Sequence, residues 1–456
     1  MKKGVSVIFF FTFLITTVFA QQAKVVSGPM LGYSEHREAL IWLQTICCHT
    51  VMLQYSPVNQ PKQKVEITEY NTNDSVCDQA WIAKFIPTYL QPGTTYSYKI
   101  FLDGKEYKSS VPLKFKTKVL WEYRTDPPDF SFVTGSCNYV NDSLYDRPGV
   151  PYGQGTEIFW RMSETKTDFM LWLGDNVYLR EADYSSESGI KYRYQHTRSD
   201  KNLQKLLATK NNYAIWDDHD YADNNSGKGF ELKGNSYKCF KDYWGNKTYG
   251  ENNEGIYSKF SFSDADFMLL DDRWWRDETD LSETENPKKT QLGHQQLQWL
   301  FYQLSHSKAT FKFVCVGGQF LNENTTSESF NLYKNERQQI LDYIIANKIS
   351  GVIFLSGDRH FTELLQFNKR QTDLGYSIYE LTSSPISSKP YEEVLKTEEK
   401  DNPMRVKNSL VTLNNFCTVS VSGKSGQRIV KFACFDKNNT AQWEISLNED
   451  QLKAKK

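Results

Sequence analysis

The fold class follows from the segment FMLWLGDNVY, residues 169–178. Five apolar residues in a row have the length of a strand that is buried on both faces, as strands are in sheets covered by helices. The run ends at Gly174 and Asp175, and Tyr178 follows in the same loop. The segment therefore predicts an α/β domain whose polar groups lie where a central strand ends.

The same alternation of buried strands and helices extends from residue 130 to the end of the chain. Strands are predicted at 130–134, 213–216, 267–270, 312–316 and 352–355, and helices at 156–165, 201–210, 292–306 and 335–347. The last strands, predicted at 415–421, 428–435 and 443–447, resemble hairpins and indicate a mixed sheet. We therefore expect residues 130–456 to form an α/β sandwich with mixed sheets.

The part before residue 120 has a different pattern. Residues 21–120 contain short alternating apolar stretches at the spacing of an all-β sandwich, and Trp42 is expected in its core. In LQPGTTYSY, residues 90–98, a tyrosine follows a Pro-Gly turn and can return its hydroxyl to upstream backbone. This stretch resembles a fibronectin type III domain. Residues 121–129, with their paired prolines, are predicted to be a linker.

The first twenty residues have the features of a cleavable signal peptide. Lys2 and Lys3 precede an apolar run that ends in a small residue, Ala20. We expect a Sec-type signal, a secreted or periplasmic protein and no membrane span once the signal is removed. The formal net charge of −1 indicates no nucleic-acid-binding surface. Eight cysteines allow disulfide bonds in an oxidising compartment, but neither their pairing nor the oligomeric state can be predicted.

Polar clusters follow five of the predicted strands, at residues 135–138, 174–178, 217–220, 356–360 and 380–384. In an open α/β sheet such positions lie at one edge, where ligands bind. The clusters bring together residue types that bind metals: a thiol, carboxylates, a phenol and imidazoles. A site made by Cys137, Asp175, Tyr178 and His360 suits trivalent iron, and oxygen-rich Asp218 and Asp358 suit calcium, with Asp175 able to bridge both ions.

Four of these motifs, at residues 135–137, 174–178, 216–220 and 356–360, resemble the alkaline phosphatase D family of the calcineurin-like metallophosphatases. The resemblance implies a front β-sandwich and an enzyme that hydrolyses phosphate monoesters, diesters or both by attack of a metal-bound hydroxide. It implies Fe³⁺ and Ca²⁺ as cofactors, and a small-molecule or polymeric phosphate ester as substrate. It assigns Cys137, Tyr178 and His360 to iron, and Asp175 to a position that bridges the two ions. It assigns Asp218, Asp358 and Asn224 or Asn225 to calcium. His219 would take part in catalysis, and Arg359 would bind the phosphate.

Several alternatives stay open at this point. Asp217 could replace Asp218 as the ligand, although Asp217 and Asp220 also suit capping roles. Arg273 and its neighbours Asp272 and Arg276 could approach substrate or form a structural ion pair. A purple-acid-phosphatase-like monoesterase also fits Asp175 and Tyr178, but it typically has other residues in place of Cys137 and Asp358. A third possibility is an inactive glycan-binding or surface-binding protein.

Overall fold

The computed structural model describes residues 22–73, 76–323, 328–368 and 374–455. The predicted signal peptide, residues 1–20, lies outside these ranges. Within them, no helix has both the length and the apolar character needed to cross a membrane.

Strands dominate the described part of the chain, and the helices are short. In chain order the strands are β1 (Lys24–Ser34), β2 (Ala39–Ile46), β3 (Thr50–Pro57), β4 (Val65–Tyr70), β5 (Trp81–Phe85), β6 (Thr95–Leu102), β7 (Lys105–Glu106), β8 (Lys114–Lys116), β9 (Phe130–Gly135), β10 (Phe169–Leu173), β11 (Asn211–Ile215), β12 (Ser258–Phe262), β13 (Ala265–Leu269), β14 (Phe311–Cys315), β15 (Val352–Ser356), β16 (Glu363–Phe367), β17 (Ile378–Thr382), β18 (Asn415–Ser422), β19 (Ile429–Asp436) and β20 (Ala441–Asn448). The α-helices are α1 (Glu157–Glu164), α2 (Glu187–Arg198), α3 (Lys201–Thr209), α4 (Asp218–Tyr221), α5 (Lys233–Tyr243), α6 (Gly293–His306) and α7 (Lys334–Ala346).

Two sheets form the main body of the molecule. The first has the strand order β20-β19-β18-β9-β10-β11-β1-β2-β5, and its strands β9, β10 and β11 are parallel. The second has the order β12-β13-β14-β15-β17-β16, with β13, β14, β15 and β17 parallel. Every residue of β10, β14 and β15 is buried, because these central strands are covered on both faces.

The two sheets pack face to face through one continuous apolar core. Phe132 of β9 makes edge-on ring contacts with Phe267 of β13 and Phe313 of β14, at centroid distances of 5.3 and 5.6 Å. Such ring contacts stabilise the sandwich in addition to the area that they bury. The predicted fold class, an α/β sandwich with mixed sheets behind an all-β part, is confirmed.

The front of the chain forms a β-sandwich that is joined to the α/β part. A smaller sheet, β4-β3-β6-β7 with β8 paired to β6, packs on β1, β2 and β5 around a second apolar core. Strand β1 also pairs in parallel with β11, where Leu31 lies opposite Asn211, so the nine-stranded sheet runs through both parts. The predicted boundaries at residues 120 and 129 therefore separate segments that share a sheet.

One detail of the front part matches the expectations, and a second differs. The hydroxyl of Tyr96 accepts a hydrogen bond of 2.8 Å from the backbone nitrogen of Gln91, which is the tyrosine-corner arrangement. Trp42 is fully buried, but in the core of the α/β part rather than in that of the front sandwich, and its indole nitrogen donates to the carbonyl of Asp242 at 2.8 Å. A disulfide joins Cys47 and Cys77, a pairing that the sequence left open.

Candidate metal centre

The candidate ligands meet because their strands end at the same edge of the sandwich. Cys137 follows β9, Asp175 and Tyr178 follow β10, and Asp218 follows β11 in the nine-stranded sheet. His360 and Asp358 follow β15 in the facing sheet. The sheets touch closely here, since a Cβ built on Gly357, which follows β15, would lie 2.4 Å from the hydroxyl oxygen of Ser136, which follows β9.

One group of donors surrounds a carboxylate oxygen of Asp175. This oxygen, Oδ2, lies 3.4 Å from the sulfur of Cys137 and 2.9 Å from the phenol oxygen of Tyr178. The same phenol oxygen is 3.2 Å from Nε2 of His360. Donor atoms bound to one cation at about 2.0 to 2.3 Å are themselves about 3 to 3.5 Å apart, so these distances fit a shared ion.

A second group uses Asp175 again. Ligand atoms of Asp175, Asp218 and His219 lie within 4.8 Å of one another, as do those of Cys137, Asp175 and His360. Asp175 is common to both groups, and it stands where a bridging carboxylate would stand. His219, for which the sequence suggested a catalytic role, is thus also within reach of a cation.

The backbone at the site adopts a conformation that is costly for residues with side chains. Cys137, Asp175, Asp358 and His360 all have positive φ, between 50° and 65°. Each such residue outside glycine costs about 1 to 3 kcal/mol, and such costs concentrate at functional sites. Gly174, with φ of 90°, allows the tight turn before Asp175, because a Cβ there would lie 2.6 Å from the Cβ of Asp217.

The electrostatics of the cluster favour a cation. Burial raises the pKa of Asp175 well above its usual range, and the neighbouring Cys137 and Asp218 raise it further. Burial also raises the pKa of the Cys137 thiol and, together with Asp175, that of the Tyr178 phenol. Oδ1 of Asp175 is buried and has no hydrogen-bond partner among the described residues. Buried acidic donors with an unpaired oxygen fit a bound metal, whose charge would stabilise their ionised forms.

The hydrogen bonds of His360 fix which nitrogen faces the cluster. Nδ1 lies 2.6 Å from the backbone carbonyl of Lys389, which can only accept, so Nδ1 carries the proton. Nε2 therefore has a free lone pair, and this atom faces Tyr178. A histidine held in this way by a backbone carbonyl is the usual arrangement of a metal ligand.

His219 lies on the partly exposed side of the cluster. Its ring stacks on that of Tyr178 with a centroid distance of 4.2 Å, and its Nδ1 has no partner among the described residues. Burial lowers the pKa of His219 to about 4, so the imidazole is neutral at neutral pH. Asp358 also reaches this side, and burial raises its pKa to about 6, with a smaller contribution from the charge of Glu328.

Asp217 and Asp218 have clearly different surroundings. Asp217 caps helix α4 in a reciprocal capping box with Asp220, and its Oδ1 accepts a hydrogen bond of 2.7 Å from Nε of Arg273. Asp218 instead accepts from its neighbour His219 and belongs to the group that contains Asp175. Of the two adjacent carboxylates, Asp218 is therefore the one that lies at the cluster.

Arg273 belongs to a buried ion-pair network. Its Nη1 lies 2.7 Å from Glu328, which also pairs with Arg276. Both arginines are fully buried, so the structure places them in a charged network behind the cluster.

Two predicted site residues lie apart from the cluster. Asn224 is exposed, while the backbone nitrogen of the next residue, Asn225, donates to Asp218 at 2.7 Å. Nη2 of Arg359 points to Glu399 at 3.7 Å, although its Nε has no partner among the described residues. The roles predicted for Asn224 and Arg359 stay predictions.

Two residues near the cluster, Tyr152 and Arg180, were not expected from the sequence, and a third, Ser384, was expected at this edge without a role. The hydroxyl of Tyr152 lies 3.4 Å from Nε2 of His360. Ser384 donates to the Cys137 sulfur at 3.1 Å, and it comes from the cluster at residues 380–384, which the sequence marked without a role. Arg180 lies over the ring of Tyr178 at 5.4 Å. Tyr152 and Arg180 are in irregular loops, where no sequence periodicity predicts which way a side chain points.

Comparison with known proteins agrees with this geometry. Residues 132–432 match the PhoD-like phosphatase family. Alkaline phosphatase D of Bacillus subtilis (strain 168) is 26% identical over 318 residues, which are 59% of this chain and 52% of that protein. The chain thus spans about half the length of this curated relative.

Two solved structures share the fold. One is described as the structure of PhoD; it has a TM-score of 0.75 and 17% identity, and the match covers 94% of this chain and 91% of that one. The purple acid phosphatase PPD1 from yellow lupin (Lupinus luteus) seeds has a TM-score of 0.65 and 11% identity, with coverage of 92% and 74%. On the extent of the family match, the chain belongs to the PhoD-like phosphatase family.

Proposed function

We propose that the protein is a secreted, metal-dependent phosphoesterase that hydrolyses phosphate monoesters, diesters or both. The single observation that carries the proposal is the position of Asp175, which lies in both groups of candidate metal ligands. Two neighbouring cations are the arrangement that supports in-line displacement at phosphorus. Membership of the PhoD-like phosphatase family supports the same reaction class.

The donor sets suggest different ions for the two positions. Cys137, Asp175, Tyr178 and His360 would hold Fe³⁺, because a thiolate, a phenolate and a carboxylate together stabilise a highly charged ion. Asp218 and Asp358, with Asp175 as the bridge and an amide oxygen such as that of Asn224, would hold Ca²⁺. When bound, the two ions would polarise the phosphate and supply a nucleophilic oxygen from water at neutral pH.

The residues of this chain position the ester and stabilise the leaving group. His219 is partly exposed at the cluster and neutral, so its N–H can donate a hydrogen bond to the leaving oxygen. Arg359 would bind a phosphate oxygen, for which its guanidinium must turn away from Glu399. The proposal also includes secretion by way of the N-terminal signal peptide and a fibronectin-type front module. The tyrosine corner at Tyr96 supports the front module.

Metal analysis combined with a visible spectrum tests this proposal. The purified protein should contain iron and calcium and hydrolyse 4-nitrophenyl phosphate or bis(4-nitrophenyl) phosphate. Phenolate bound to Fe³⁺ absorbs visible light, so the protein should be coloured, and Tyr178→Phe should abolish the colour. A colourless, fully active zinc protein would refute the iron assignment, and a protein without metal-dependent hydrolysis would refute the function.

A further inference from the structure

Tyr152 lies at the mouth of the candidate metal centre, in the β9–α1 connection that also carries Cys137, and its immediate sequence neighbours are not candidate metal ligands. Its hydroxyl is 3.4 Å from Nε2 of His360, the same atom that the Tyr178 hydroxyl approaches at 3.2 Å. Because Nδ1 of His360 donates to the Lys389 carbonyl, Nε2 is an acceptor, and the Tyr152 O–H can donate to it. The O–H of Tyr178 donates instead to Oδ2 of Asp175 at 2.9 Å.

We propose that Tyr152 is a substrate-binding residue whose phenol O–H donates a hydrogen bond to a phosphate oxygen of the bound ester. The inference rests on the proposed function, since a cation at this site takes the Nε2 lone pair of His360. The Tyr152 hydroxyl then loses the one hydrogen bond that it makes to the described residues, and its O–H is free to donate to an incoming group. An anionic phosphate oxygen is the strongest acceptor that the proposed reaction brings to this place.

The exposure of the surrounding residues supports this position for the substrate. Cys137, Asp175, Tyr178 and Asp218 are buried, and they form the floor of the cluster. Tyr152 is partly exposed, as are His219, Asp358 and His360. The phenol of Tyr152 therefore borders the side from which an ester can approach.

The loop that carries Tyr152 is held firmly, so the hydroxyl is preorganised. Asn141 makes two hydrogen bonds to the backbone of Gly153, at 2.9 and 3.0 Å. Gly153 also forms a β-bridge with Ser388, close to His360, and the Gln154 nitrogen donates to the Ser387 carbonyl at 2.6 Å. A donor fixed in this way loses little conformational entropy when it binds an anion.

The ring of Tyr152 is fixed as well. It packs edge-on against Tyr139 with a centroid distance of 5.0 Å, and the guanidinium of Arg180 lies 5.3 Å from its centre. These contacts involve the ring rather than the hydroxyl, so Tyr152→Phe should keep the loop in place.

The test compares Tyr152→Phe with wild type and with Tyr145→Phe. Tyr145 is an exposed tyrosine of the same loop that packs on Tyr192 and does not approach His360, so it is the matched control. Metal content, visible absorption and the binding of inorganic phosphate by calorimetry are measured for each metal-loaded protein. Tyr152→Phe should keep the metals and the absorption band but bind phosphate roughly 10- to 100-fold more weakly, the usual effect of one hydrogen bond to an anion.

Any other outcome would overturn the inference. Unchanged phosphate binding by metal-loaded Tyr152→Phe would show that the hydroxyl does not touch the anion. A loss of metal or a shifted absorption band would make Tyr152 a metal ligand instead of a phosphate donor. A wild-type protein that binds no metal and hydrolyses no ester would refute the proposed function itself, and the role of Tyr152 with it.

Discussion

Nε2 of His360 lies 3.2 Å from the phenol oxygen of Tyr178, although the two residues are 182 positions apart in the chain. Tyr178 follows a strand of the nine-stranded sheet, and His360 follows a strand of the facing sheet. The candidate metal centre thus connects the two halves of the sandwich. Its geometry depends on how closely the sheets pack where these strands end.

Replacing the shared carboxylate should remove both metals. Asp175→Asn is expected to lose bound metal and to lower kcat/KM by roughly 100-fold or more, since even partners outside the ligand shell contribute about 10- to 100-fold. Elemental analysis and steady-state kinetics measure both effects. Asp168→Asn is the control, because Asp168 is exposed just before the other end of the same strand. Full metal content in Asp175→Asn would contradict the bridging role.

The effect of His219 should depend on the leaving group. Its neutral imidazole can stabilise a departing alkoxide, so His219→Ala should lower kcat for alkyl phosphates by roughly 100-fold or more. The loss should be much smaller for 4-nitrophenyl phosphate, whose leaving group needs little assistance. Equal losses for both substrates, or a loss of metal, would indicate that His219 is a ligand instead.

The metal-free protein should lose stability in acid partly through His219. Its pKa is lowered from 6.5 to about 4 in the folded state, so its contribution to stability is present above pH 6.5 and disappears as the pH falls through about 4. Since the ring is partly exposed, we expect about 1 to 2 kcal/mol. Denaturant unfolding of wild type and His219→Asn across this range measures the difference, with exposed His294→Asn as the control. Parallel pH profiles for wild type and His219→Asn would exclude the effect.

Gly357 should tolerate no side chain. A Cβ there would lie 2.5 Å from the Ser136 Cβ and 2.6 Å from the Leu173 carbonyl oxygen, so Gly357→Ala must push the two sheets apart. We expect a loss of about 1 to 3 kcal/mol in unfolding free energy, together with weaker metal binding. Gly318→Ala is the matched control, since nothing lies within 4 Å of the corresponding Cβ. Similar melting temperatures for the two variants would show that the contact relaxes easily.

The apolar strands and the acidic clusters after them could be predicted from the sequence because both are local patterns. The strands around Phe132 and Phe267 and the helix at 293–306 lie within a few residues of their predicted positions. Strand β1 and helices α2 and α5 were not predicted. Glycines interrupt both helices, Gly189 in α2 and Gly234 in α5, and residues 24–34 contain glycines and a proline that obscure a strand pattern.

The composition of the site was predictable only where a ligand directly follows a strand. Cys137, Asp175 and His360 meet this condition, and the structure brings them together. Tyr152 does not, because its approach to His360 depends on a bridge between two distant loops. The ion pair of Asp217 could not be predicted from the sequence either, since its partner Arg273 lies 56 positions away.

The pairing of β1 with β11 affects how the protein can be divided. Strand β11 leads directly into Asp218, and β1 pairs with its first residue, where Leu31 lies opposite Asn211. If the chain were cut at residues 121–129, β11 would become an uncovered edge strand, which readily pairs with other chains. Expressed alone, the phosphatase region would therefore tend to aggregate, and the front part is better regarded as an integral part of the fold than as a detachable accessory.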